Sequence, residues 1–542
     1  MKIGPYPLAP VTEAATVREL ILQGLDRAPD VPAFTHRLNA PVTIGRPQLR
    51  GDLEALGTKI LSLGLPENRV AVVGPLTYEA LLACLTVLAS GAILTPIDRT
   101  LPPEQITGLV DDCDADMLIY AEAFVPVEEA VRKKGRVRHF LNIDAELKDW
   151  IADGRALIDR GDRGFFEAEA FPRDAAAILY TSGTTGSAKG VVLPHEGLAR
   201  AVTTSEQSFD PEGIGLSILP LNHAFGILLP LISLHHGNHL LLSNGPQAFV
   251  SELKRYSPHV ITAVPAMANA MMKQVLAYIR AHGLTESFEA DRARSRALYE
   301  AGDDQRREIF KDILALFGGN LYFMCGGSAP LAAHVPAFFR EIGIDLLNNY
   351  ATTESSAVFA QHRRYDYRDG SGGRVCPMNE LKIIGKNKEG IGEICMRGPN
   401  IMLGYYKQPE KTAEVLSADG WLRTGDLGYL DEDGYLYITG RIKNLIILDN
   451  GENIYPEELE FLAGQDERIG EIVVSEMGRV VGAEIFPVYG AAETEAEREA
   501  VREDIRAGIR ALNQRIAFHK NIIKIVFRET PFPRNAMNKI KR

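Results

Sequence analysis

The chain has 542 residues, and one hydrophobic core usually stops growing at ~250–300 residues, so the length predicts several domains or subdomains. With 46% apolar and 24% charged residues, the composition is close to the globular average and argues against a largely disordered chain. The net charge of −12 without a basic stripe speaks against nucleic acid or an anionic membrane as the main partner.

The first part of the chain alternates helical and strand patterns. Apolar residues at helical spacing predict a helix over 48–63, and the run Arg69–Val73 predicts a strand. The stretch 80–97 carries no charge, but Ser90-Gly91 and Pro96 interrupt it. We therefore predict a helix over about 78–89 and a short strand, rather than a membrane span. This alternation indicates a doubly wound α/β fold.

Two features bear on the cellular compartment. The N-terminal residues 1–5 lack the apolar core of a signal peptide. The five cysteines are scattered and form no Cys-x-x-Cys pair, as expected of reduced thiols. We expect a cytoplasmic protein.

A polar loop between two apolar runs carries the clearest functional signal. From Thr181 to Gly190 the chain has five hydroxyl side chains and three glycines, and the flanking runs 177–180 and 191–198 are predicted as strands. Small side chains and exposed backbone N–H groups can close around an anion of several oxygens, so a nucleotide triphosphate is the expected ligand. A P-loop would need Gly-Lys-Ser/Thr opening a helix, but Lys189 is followed by a glycine and a strand.

The middle of the chain repeats a strand-then-turn pattern. Predicted strands at 216–219, 259–264, 321–325 and 345–349 each lead into a turn. Ligands collect at the carboxyl ends of strands in doubly wound sheets, so these turns are candidate pocket walls. The charged segment 285–316 is predicted to be a helical surface without chemistry.

The C-terminal part of the sequence has a different pattern of predicted elements. After residue 373, short strands and turns predict a small β subdomain, and past residue 443 a separate α+β unit begins. Its long helix is predicted to pack through a stripe on one face, made of Val501, Ile505, Ile509, Leu512 and Ile516.

The loop Thr181–Gly190 resembles the phosphate-binding signature of the adenylate-forming enzymes, the superfamily of acyl-CoA synthetases, adenylation domains of peptide synthetases and beetle luciferases. Similar matches follow at 350–354, 421–428, 440–444 and 531–542, so the resemblance covers most of the chain. It implies an α/β fold with a large N-terminal adenylating domain (1–440) of doubly wound sheets plus a small β subdomain. A hinge (441–443) and a small mobile α+β C-terminal domain (444–542) would follow.

The resemblance also implies a role for each matching residue. Tyr350 would lie against adenine, Thr353 at the α-phosphate and Glu354 on Mg²⁺, while Ala351 replaces the usual glycine. In the segment 222–226, His223 would line the acid site. Amino-acid-activating domains commonly have an Asp there, and its absence points to an acid without an α-amino group.

The C-terminal motifs complete this assignment. Asp426 would accept both ribose hydroxyls, Arg441 would serve the ribose and phosphate side, and Lys443 falls on the hinge. Lys539 matches the catalytic lysine, although Asn538 stands where a glycine is usual.

The resemblance thus implies two groups of site residues. The catalytic residues are Lys539, Glu354, Thr184 and His223, and Thr184 and Glu354 are also the metal ligands. The residues that bind ATP or CoA are Thr181, Ser182, Gly183, Thr184, Thr185, Gly186, Lys189, Gly327, Ser328, Ala329, Pro330, Asn349, Tyr350, Ala351, Thr352, Thr353, Asp426, Ile438, Arg441, Lys443, Gly451 and Glu452.

The expected function is an AMP-forming acid:CoA ligase that uses ATP, Mg²⁺ and CoA on a small carboxylic acid, fatty acyl or otherwise apolar. Two alternatives remain open, transfer to a carrier-protein thiol and a nucleotide-binding homologue without turnover. The histidines in 235–239 are interpreted as structural, because no Cys or carboxylate in the surrounding sequence partners them. No Gly-x-Ser-x-Gly elbow supports serine hydrolysis.

Overall fold

A computed structural model describes residues 8–181, 188–209, 211–327, 331–447, 453–466, 468–490, 492–533 and 540. The chain divides into two compact units, the first made of 1–380 with 397–422 and the second of 381–396 with 423–542. The fold is α/β, as predicted. The predicted domain boundary at residue 440 and the hinge at 441–443 stay predictions.

The strands of the described residues are, in chain order, β1 (Pro32–His36), β2 (Val42–Gly45), β3 (Arg69–Val73), β4 (Ile93–Pro96), β5 (Met117–Tyr120), β6 (His139–Asn142), β7 (Ala175–Thr181), β8 (Lys189–Pro194), β9 (Ile214–Ser217), β10 (His239–Leu242), β11 (Val260–Ala263), β12 (Phe323–Gly326), β13 (Asp345–Asn348), β14 (Ala360–Gln361), β15 (Arg374–Val375), β16 (Glu380–Ile384), β17 (Gly392–Arg397), β18 (Gly404–Tyr405), β19 (Leu422–Leu430), β20 (Leu436–Arg441), β21 (Ile446–Ile447), β22 (Asn453–Ile454), β23 (Ile469–Glu476), β24 (Val481–Pro487) and β25 (Lys524–Phe527).

The helices of the same residues are α1 (Val17–Asp26), α2 (Arg46–Leu61), α3 (Tyr78–Ala89), α4 (Pro103–Asp112), α5 (Val125–Lys134), α6 (Leu147–Asp159), α7 (Gly164–Glu167), α8 (His195–Phe209), α9 (Ala224–His236), α10 (Phe249–Tyr256), α11 (Pro265–Ala281), α12 (Thr285–Glu300), α13 (Arg306–Ile309), α14 (Lys311–Leu314), α15 (His334–Glu341), α16 (Pro409–Val415), α17 (Pro456–Ala463) and α18 (Glu495–Asn513). Short 3-10 turns include Thr353–Ser355 and Ile442–Asn444.

The first unit contains a seven-stranded sheet, here named sheet one, in the order β13-β12-β11-β9-β10-β1-β2. All neighbours are parallel except β2. Side chains alternate between its two faces. On one face Ile261 and Met324 join a core with α10, α11 and α15, and on the other Val260 and Phe323 pack with Phe209 of α8. Helices therefore cover both faces, and the carboxyl ends of neighbouring strands lie together at one edge.

A second seven-stranded sheet, sheet two, has the order β18-β8-β7-β4-β3-β5-β6. Its strands β7, β4, β3, β5 and β6 are parallel, whereas β8 runs antiparallel to both β7 and β18. The predicted strand over 69–73 and helix over 78–89 are confirmed as β3 and α3. Thr77 starts that helix, because its side chain accepts a hydrogen bond from the Ala80 N–H.

One predicted strand is shorter than expected. The run 191–198 was predicted as a strand, but β8 ends at Pro194 and α8 begins at His195. The apolar residues Leu198, Ala201 and Val202 follow helical spacing and are buried on α8. After Pro194 the helical spacing of the apolar residues therefore determines the structure, although the residues before the proline favour a strand.

The second unit combines a four-stranded sheet, in the order β16-β17-β19-β20, with a three-stranded sheet, in the order β23-β24-β25. Helix α18 packs Ile505 and Ile509 into the core beside the smaller sheet, as the stripe predicted, although Ile516 lies beyond the end of the helix. The capping box of Thr494 and Glu497 starts α18. Across the described ranges, no helix is both long and apolar enough to cross a membrane.

Candidate functional site

The polar loop lies between two directly paired strands. Thr181, the last residue of β7, is the register partner of Lys189, the first residue of β8. The Thr181 hydroxyl Oγ1 lies 3.5 Å from the Lys189 carbonyl oxygen. Residues 182–187, which include Ser182, Gly183, Thr184, Thr185 and Gly186, lie outside the described residues. Thr181 and Lys189 are therefore paired directly at one end of sheet two.

Glu354 projects from a tight turn that its neighbours close. Residues Thr353–Ser355 form a 3-10 turn, and Ser355 and Thr352 cap each other across it. The Thr352 N–H donates to Ser355 Oγ at 3.0 Å. The Glu354 carbonyl accepts a bond of 2.8 Å from the Met402 N–H. These contacts therefore fix the turn from which the half-buried Glu354 side chain projects.

A tyrosine brings Lys189 and Glu354 into one cluster. The Tyr405 hydroxyl donates to Glu354 Oε1 at 3.0 Å. Lys189 Nζ lies 4.6 Å from the centroid of the Tyr405 ring, within cation–π range. Tyr405 itself is buried, and burial together with the Glu354 carboxylate raises the pKa of its phenol. The phenol therefore stays protonated and keeps donating.

The backbone around Tyr405 is held against β8. Gly404 and Tyr405 pair with Val192 and Val191, and the Tyr405 N–H donates to Thr412 Oγ1 at 2.8 Å. Gly404 has a φ of +150°, and a Cβ there would lie 2.9 Å from Thr412 Cγ2. A glycine is required at this point for the segment to lie on the edge of sheet two.

The predicted adenine and phosphate residues follow adjacent strands of sheet one. Gly326 and Asn348 are register partners at the ends of β12 and β13, so Gly327 and Asn349 come next on neighbouring strands. The Asn349 N–H donates to the Gly326 carbonyl at 3.0 Å. Tyr350 forms an isolated antiparallel bridge with Ala360 and is buried. The same backbone continues through the half-buried Ala351 into the Glu354 turn.

His223 lies at the start of a buried helix. It is the N-cap of α9, and the carbonyl of Pro220 accepts a bond of 3.1 Å from the His223 N–H. The turn can close because residue 226 is glycine, since a Cβ there would lie 1.9 Å from the Pro220 carbonyl oxygen. The close contact between Gly226 and Pro220 therefore fixes the position of His223 at the start of α9.

An aromatic layer lies on the face of sheet one that packs against Phe209 of α8. Phe209 and Phe323 pack with ring centroids 5.3 Å apart, and Phe225 of α9 contacts the same buried cluster. Asn349 Nδ2 lies 3.4 Å from Cys325 Sγ, a member of that cluster. The strand ends of Gly327 and Asn349 therefore lie over an apolar floor.

The second unit holds the other predicted nucleotide residues. Asp426 of β19 and Arg441 of β20 are register partners, and Arg441 Nε lies 2.8 Å from Asp426 Oδ1. Gly425 adopts a φ of +70°, and its N–H donates to Glu393 Oε1 at 3.2 Å. A buried carboxylate is thus presented after a tight glycine turn.

The remaining assignments have separate outcomes. Ile438 is a half-buried residue of β20, and Lys443 lies in the 3-10 turn Ile442–Asn444. Ser328, Ala329, Pro330, Gly451, Glu452 and Lys539 lie outside the described residues. Their roles stay predictions.

The donor set fits a magnesium nucleotide. No group of three or more His, Cys, Asp and Glu that could hold a metal occurs among the described residues. Mg²⁺ is usually bound by one or two carboxylates together with substrate phosphates. One carboxylate, Glu354, hydrogen-bonded to Tyr405 near the end of the predicted phosphate loop, is compatible with that requirement.

The sequence interpretation missed Tyr405 and one buried partner. Tyr405 follows Gly404 and lies 51 positions after Glu354 in the sequence. The sequence alone gives no sign that Tyr405 and Glu354 are in contact. His235 was expected to lack a carboxylate partner, yet Glu206 Oε1 of α8 lies 2.9 Å from its Nδ1. The residues are 29 positions apart, so only the packing of α8 on α9 reveals the pair. The expectation that no carboxylate partners these histidines is wrong for His235, and their structural interpretation stays a prediction.

Several comparisons with known proteins gave matches. The family model described as AMP-binding enzyme matches residues 23–406. A long-chain-fatty-acid–CoA ligase of Mycobacterium bovis is 28% identical over 459 residues, covering 80% of this chain and 75% of that protein. Human long-chain-fatty-acid–CoA ligase 1 is 27% identical over 463 residues, covering 78% of this chain but only 66% of the human protein.

A solved structure matches along the whole chain. The anthranilate CoA ligase AuaEII in complex with anthranoyl-AMP superposes with a TM-score of 0.76 and 21% identity, covering 100% of this chain and 97% of that chain. At this identity the match establishes the fold.

Proposed function

The chain belongs to the AMP-binding enzyme family and is an adenylate-forming acyl-CoA synthetase, a ligase, and we propose that it activates an apolar carboxylic acid, fatty acyl or aromatic, with ATP and passes the acyl group to CoA. The observation that carries the proposal is the cluster of Lys189, Tyr405 and Glu354 at the end of the Thr181–Gly190 loop. Adenylyl transfer needs a cation for the phosphates and a carboxylate for Mg²⁺ among its requirements, and we propose that this cluster supplies both.

The first half-reaction joins the acid carboxylate to the α-phosphorus of ATP and releases pyrophosphate. In-line transfer depends mainly on positioning and on neutralising charge. We assign Lys189 to the β- and γ-phosphates, Glu354 to Mg²⁺, and Asp426 to the ribose. Mg²⁺, when bound, neutralises phosphate charge, and Lys539 is proposed to neutralise the attacking carboxylate and α-phosphate.

The acid is proposed to lie over the aromatic floor of sheet one. Its carboxylate would approach His223, while its apolar body would contact the layer of Phe209, Phe323 and Phe225. No Asp occurs in the segment 222–226 to hold an ammonium group. Burial of an apolar body at ~25 cal/mol per Å² would stabilise binding, whereas an unpaired ammonium would be costly there.

In the second half-reaction a thiol attacks the acyl carbon of the acyl-adenylate, which forms the thioester and releases AMP. We propose that the C-terminal part pivots at Lys443 between the two steps, and that Gly451 and Glu452 then meet the pantetheine arm. The thiol donor is proposed to be CoA; a carrier-protein thiol is the alternative. The five cysteines are all buried and unpaired, which supports the proposed cytoplasmic location.

The test is ATP–pyrophosphate exchange with acids of graded chain length, aromatic acids and amino acids. We expect exchange with apolar acids and none with amino acids. Lys539→Ala should reduce exchange by roughly 10²–10³-fold, the scale of losing one preorganised charge. Exchange that is absent with every acid, or that persists unchanged in Lys539→Ala, would contradict the proposal.

The acceptor is tested separately. The purified enzyme with the best acid is given CoA or a phosphopantetheinylated carrier protein, and thioester is measured by mass spectrometry. Acyl-CoA as the faster product supports the proposal. Thioester on the carrier alone would favour the alternative.

A further inference from the structure

We infer that Tyr405 is a positioning residue that couples the phosphate-loop lysine to the magnesium carboxylate, so that Lys189 and Glu354 are placed as one unit. The inference rests on the proposed function of those two residues. Tyr405 itself is assigned no contact with ATP, acid or CoA.

Two different parts of the side chain make the two contacts. The hydroxyl donates to Glu354 Oε1 at 3.0 Å, and the ring face lies 4.6 Å from Lys189 Nζ. The hydrogen bond holds Oε1 of Glu354 and leaves the other carboxylate oxygen, Oε2, pointing away from the Tyr405 hydroxyl. The ring attracts the ammonium without accepting its protons in a salt bridge, so the N–H donors keep their capacity for phosphate oxygens.

The separation of the two charges supports this role. A direct Lys189–Glu354 ion pair would satisfy both groups and compete with ATP and Mg²⁺. With Tyr405 between them, each charge has a neutral partner and remains available to a ligand of opposite charge. Partners that orient a metal-binding carboxylate typically change metal affinity by ~10–100-fold when they are removed.

Tyr405 is itself rigidly placed. Its segment pairs with β8, and the N–H groups of Leu403 and Tyr406 donate to the carbonyls of Val192 and Gly190 at 2.8 and 2.7 Å. Met402 donates to the Glu354 carbonyl. The segment 402–406 therefore contacts the backbone of Glu354 and of β8 directly after Lys189.

The adjacent Tyr406 provides a matched control. Its hydroxyl donates to Asp114 Oδ2 at 2.7 Å, so Tyr406→Phe also removes one phenol bonded to a carboxylate. Asp114 is an ion-pair partner of Lys407 and Arg136. Tyr406→Phe therefore tests the general cost of the change without altering the Lys189–Tyr405–Glu354 cluster.

The experiment measures metal binding as well as turnover. Mn²⁺ is used as the probe for Mg²⁺, and its affinity in the presence of saturating ATP is determined by electron paramagnetic resonance. Metal-free ATP binding is measured by calorimetry in parallel. Tyr405→Phe, which keeps the ring, should weaken Mn²⁺ binding by about 10-fold and change metal-free ATP binding less than twofold.

Tyr405→Leu removes both contacts and should also weaken metal-free ATP binding by about 2–5-fold, the scale of one weak cation–π contact. Excess Mg²⁺ should restore exchange activity in Tyr405→Phe but only part of it in Tyr405→Leu. If Tyr405→Leu does not fold, the comparison of Tyr405→Phe with Tyr406→Phe still decides.

Equal Mn²⁺ affinities for Tyr405→Phe and Tyr406→Phe would overturn the inference and leave the proposed function standing. Failure of the wild-type protein to bind Mn²⁺ with ATP would overturn both. A selective loss in Tyr405→Phe supports the inference.

Discussion

Asp426 and Arg441 face each other across β19 and β20, with Arg441 Nε 2.8 Å from Asp426 Oδ1. The Asp426 side chain is 6% exposed and the Arg441 side chain 52% exposed. The sequence motifs assign both residues to the nucleotide, and the ion pair with Arg441 orients the buried Asp426 carboxylate.

We expect Asp426→Ala to weaken ATP binding by roughly 2–4 kcal/mol, because two ribose hydroxyls lose a charged acceptor in a partly desolvated site. Arg441→Met should cost less, about 1 kcal/mol, because the guanidinium is half exposed. Calorimetric titration with ATP measures both. Binding of the acid alone is the control, and an unaltered ATP affinity in Asp426→Ala would remove this residue from the site.

The hinge can be tested at Lys443. This residue lies in a 3-10 turn closed by the Leu445 N–H donating to the Ile442 carbonyl at 3.2 Å. Proline fixes φ near about −65°, within the 3-10 range. Lys443→Pro should therefore hold the turn in one conformation.

Because the family resemblance puts adenylation before the pivot, we expect pyrophosphate exchange to survive in Lys443→Pro and acyl-CoA output to fall steeply. Single-turnover assays of each half-reaction measure the two effects. Lys443→Ala is the control and should retain both activities. Equal losses in both steps would mean general damage, and no loss in the second would place the pivot elsewhere.

Gly226 tests the placement of His223. A methyl group there would lie 1.9 Å from the Pro220 carbonyl oxygen, so Gly226→Ala must displace the start of α9. We expect a loss of stability of about 1–3 kcal/mol and weaker binding of the acid, with ATP binding retained. Gly51→Ala is the control, because a Cβ there meets no atom within 4 Å. Equal effects on acid and ATP binding would contradict a selective role for this turn.

His195 should make the protein sensitive to acid. It is fully buried, neither ring nitrogen has a hydrogen-bond partner among the described residues, and burial lowers its pKa to about 4. The folded pKa lies below the value of ~6.5 expected for the unfolded chain, so the unfolded state takes up the proton first. The free energy of unfolding should therefore fall as the pH drops from about 6.5 to about 4, by roughly 3 kcal/mol.

His195→Leu replaces the ring with an apolar side chain of similar size and should make the stability less dependent on pH in that range. Urea unfolding at several pH values measures the slope. At pH 7 the variant should be nearly as stable as the wild type, because no described hydrogen bond is lost. An unchanged slope would show that His195 is not the group responsible.

Local patterns predicted much of the fold because they depend on neighbouring residues. The helix Tyr78–Ala89 and the strand Arg69–Val73 were identified from apolar periodicity and from breakers at their ends. The start of α8 at His195 was missed, since a β-rich run and a helical period meet at Pro194. The sequence pattern alone does not show at which residue the strand ends and the helix begins.

The candidate site was predictable only where a motif is contiguous. Tyr350–Glu354 and the ends of the phosphate loop were named from sequence, whereas Tyr405 was not. Its contact with Glu354 spans 51 positions and forms because β18 pairs with β8. Such a pairing depends on the tertiary fold, which no short stretch of sequence specifies.

The two-residue strand β18 has a consequence for how the protein can be divided. It covers the outer side of β8, which would otherwise be the edge strand of sheet two. A long uncovered edge is a template for pairing with other chains. A shortened protein that ends before Leu403 would expose backbone groups of Gly190 and Val192, whose carbonyls accept hydrogen bonds from the N–H groups of Tyr406 and Leu403. It would tend to self-associate through them, so a stable isolated adenylating unit must keep residues 403–406.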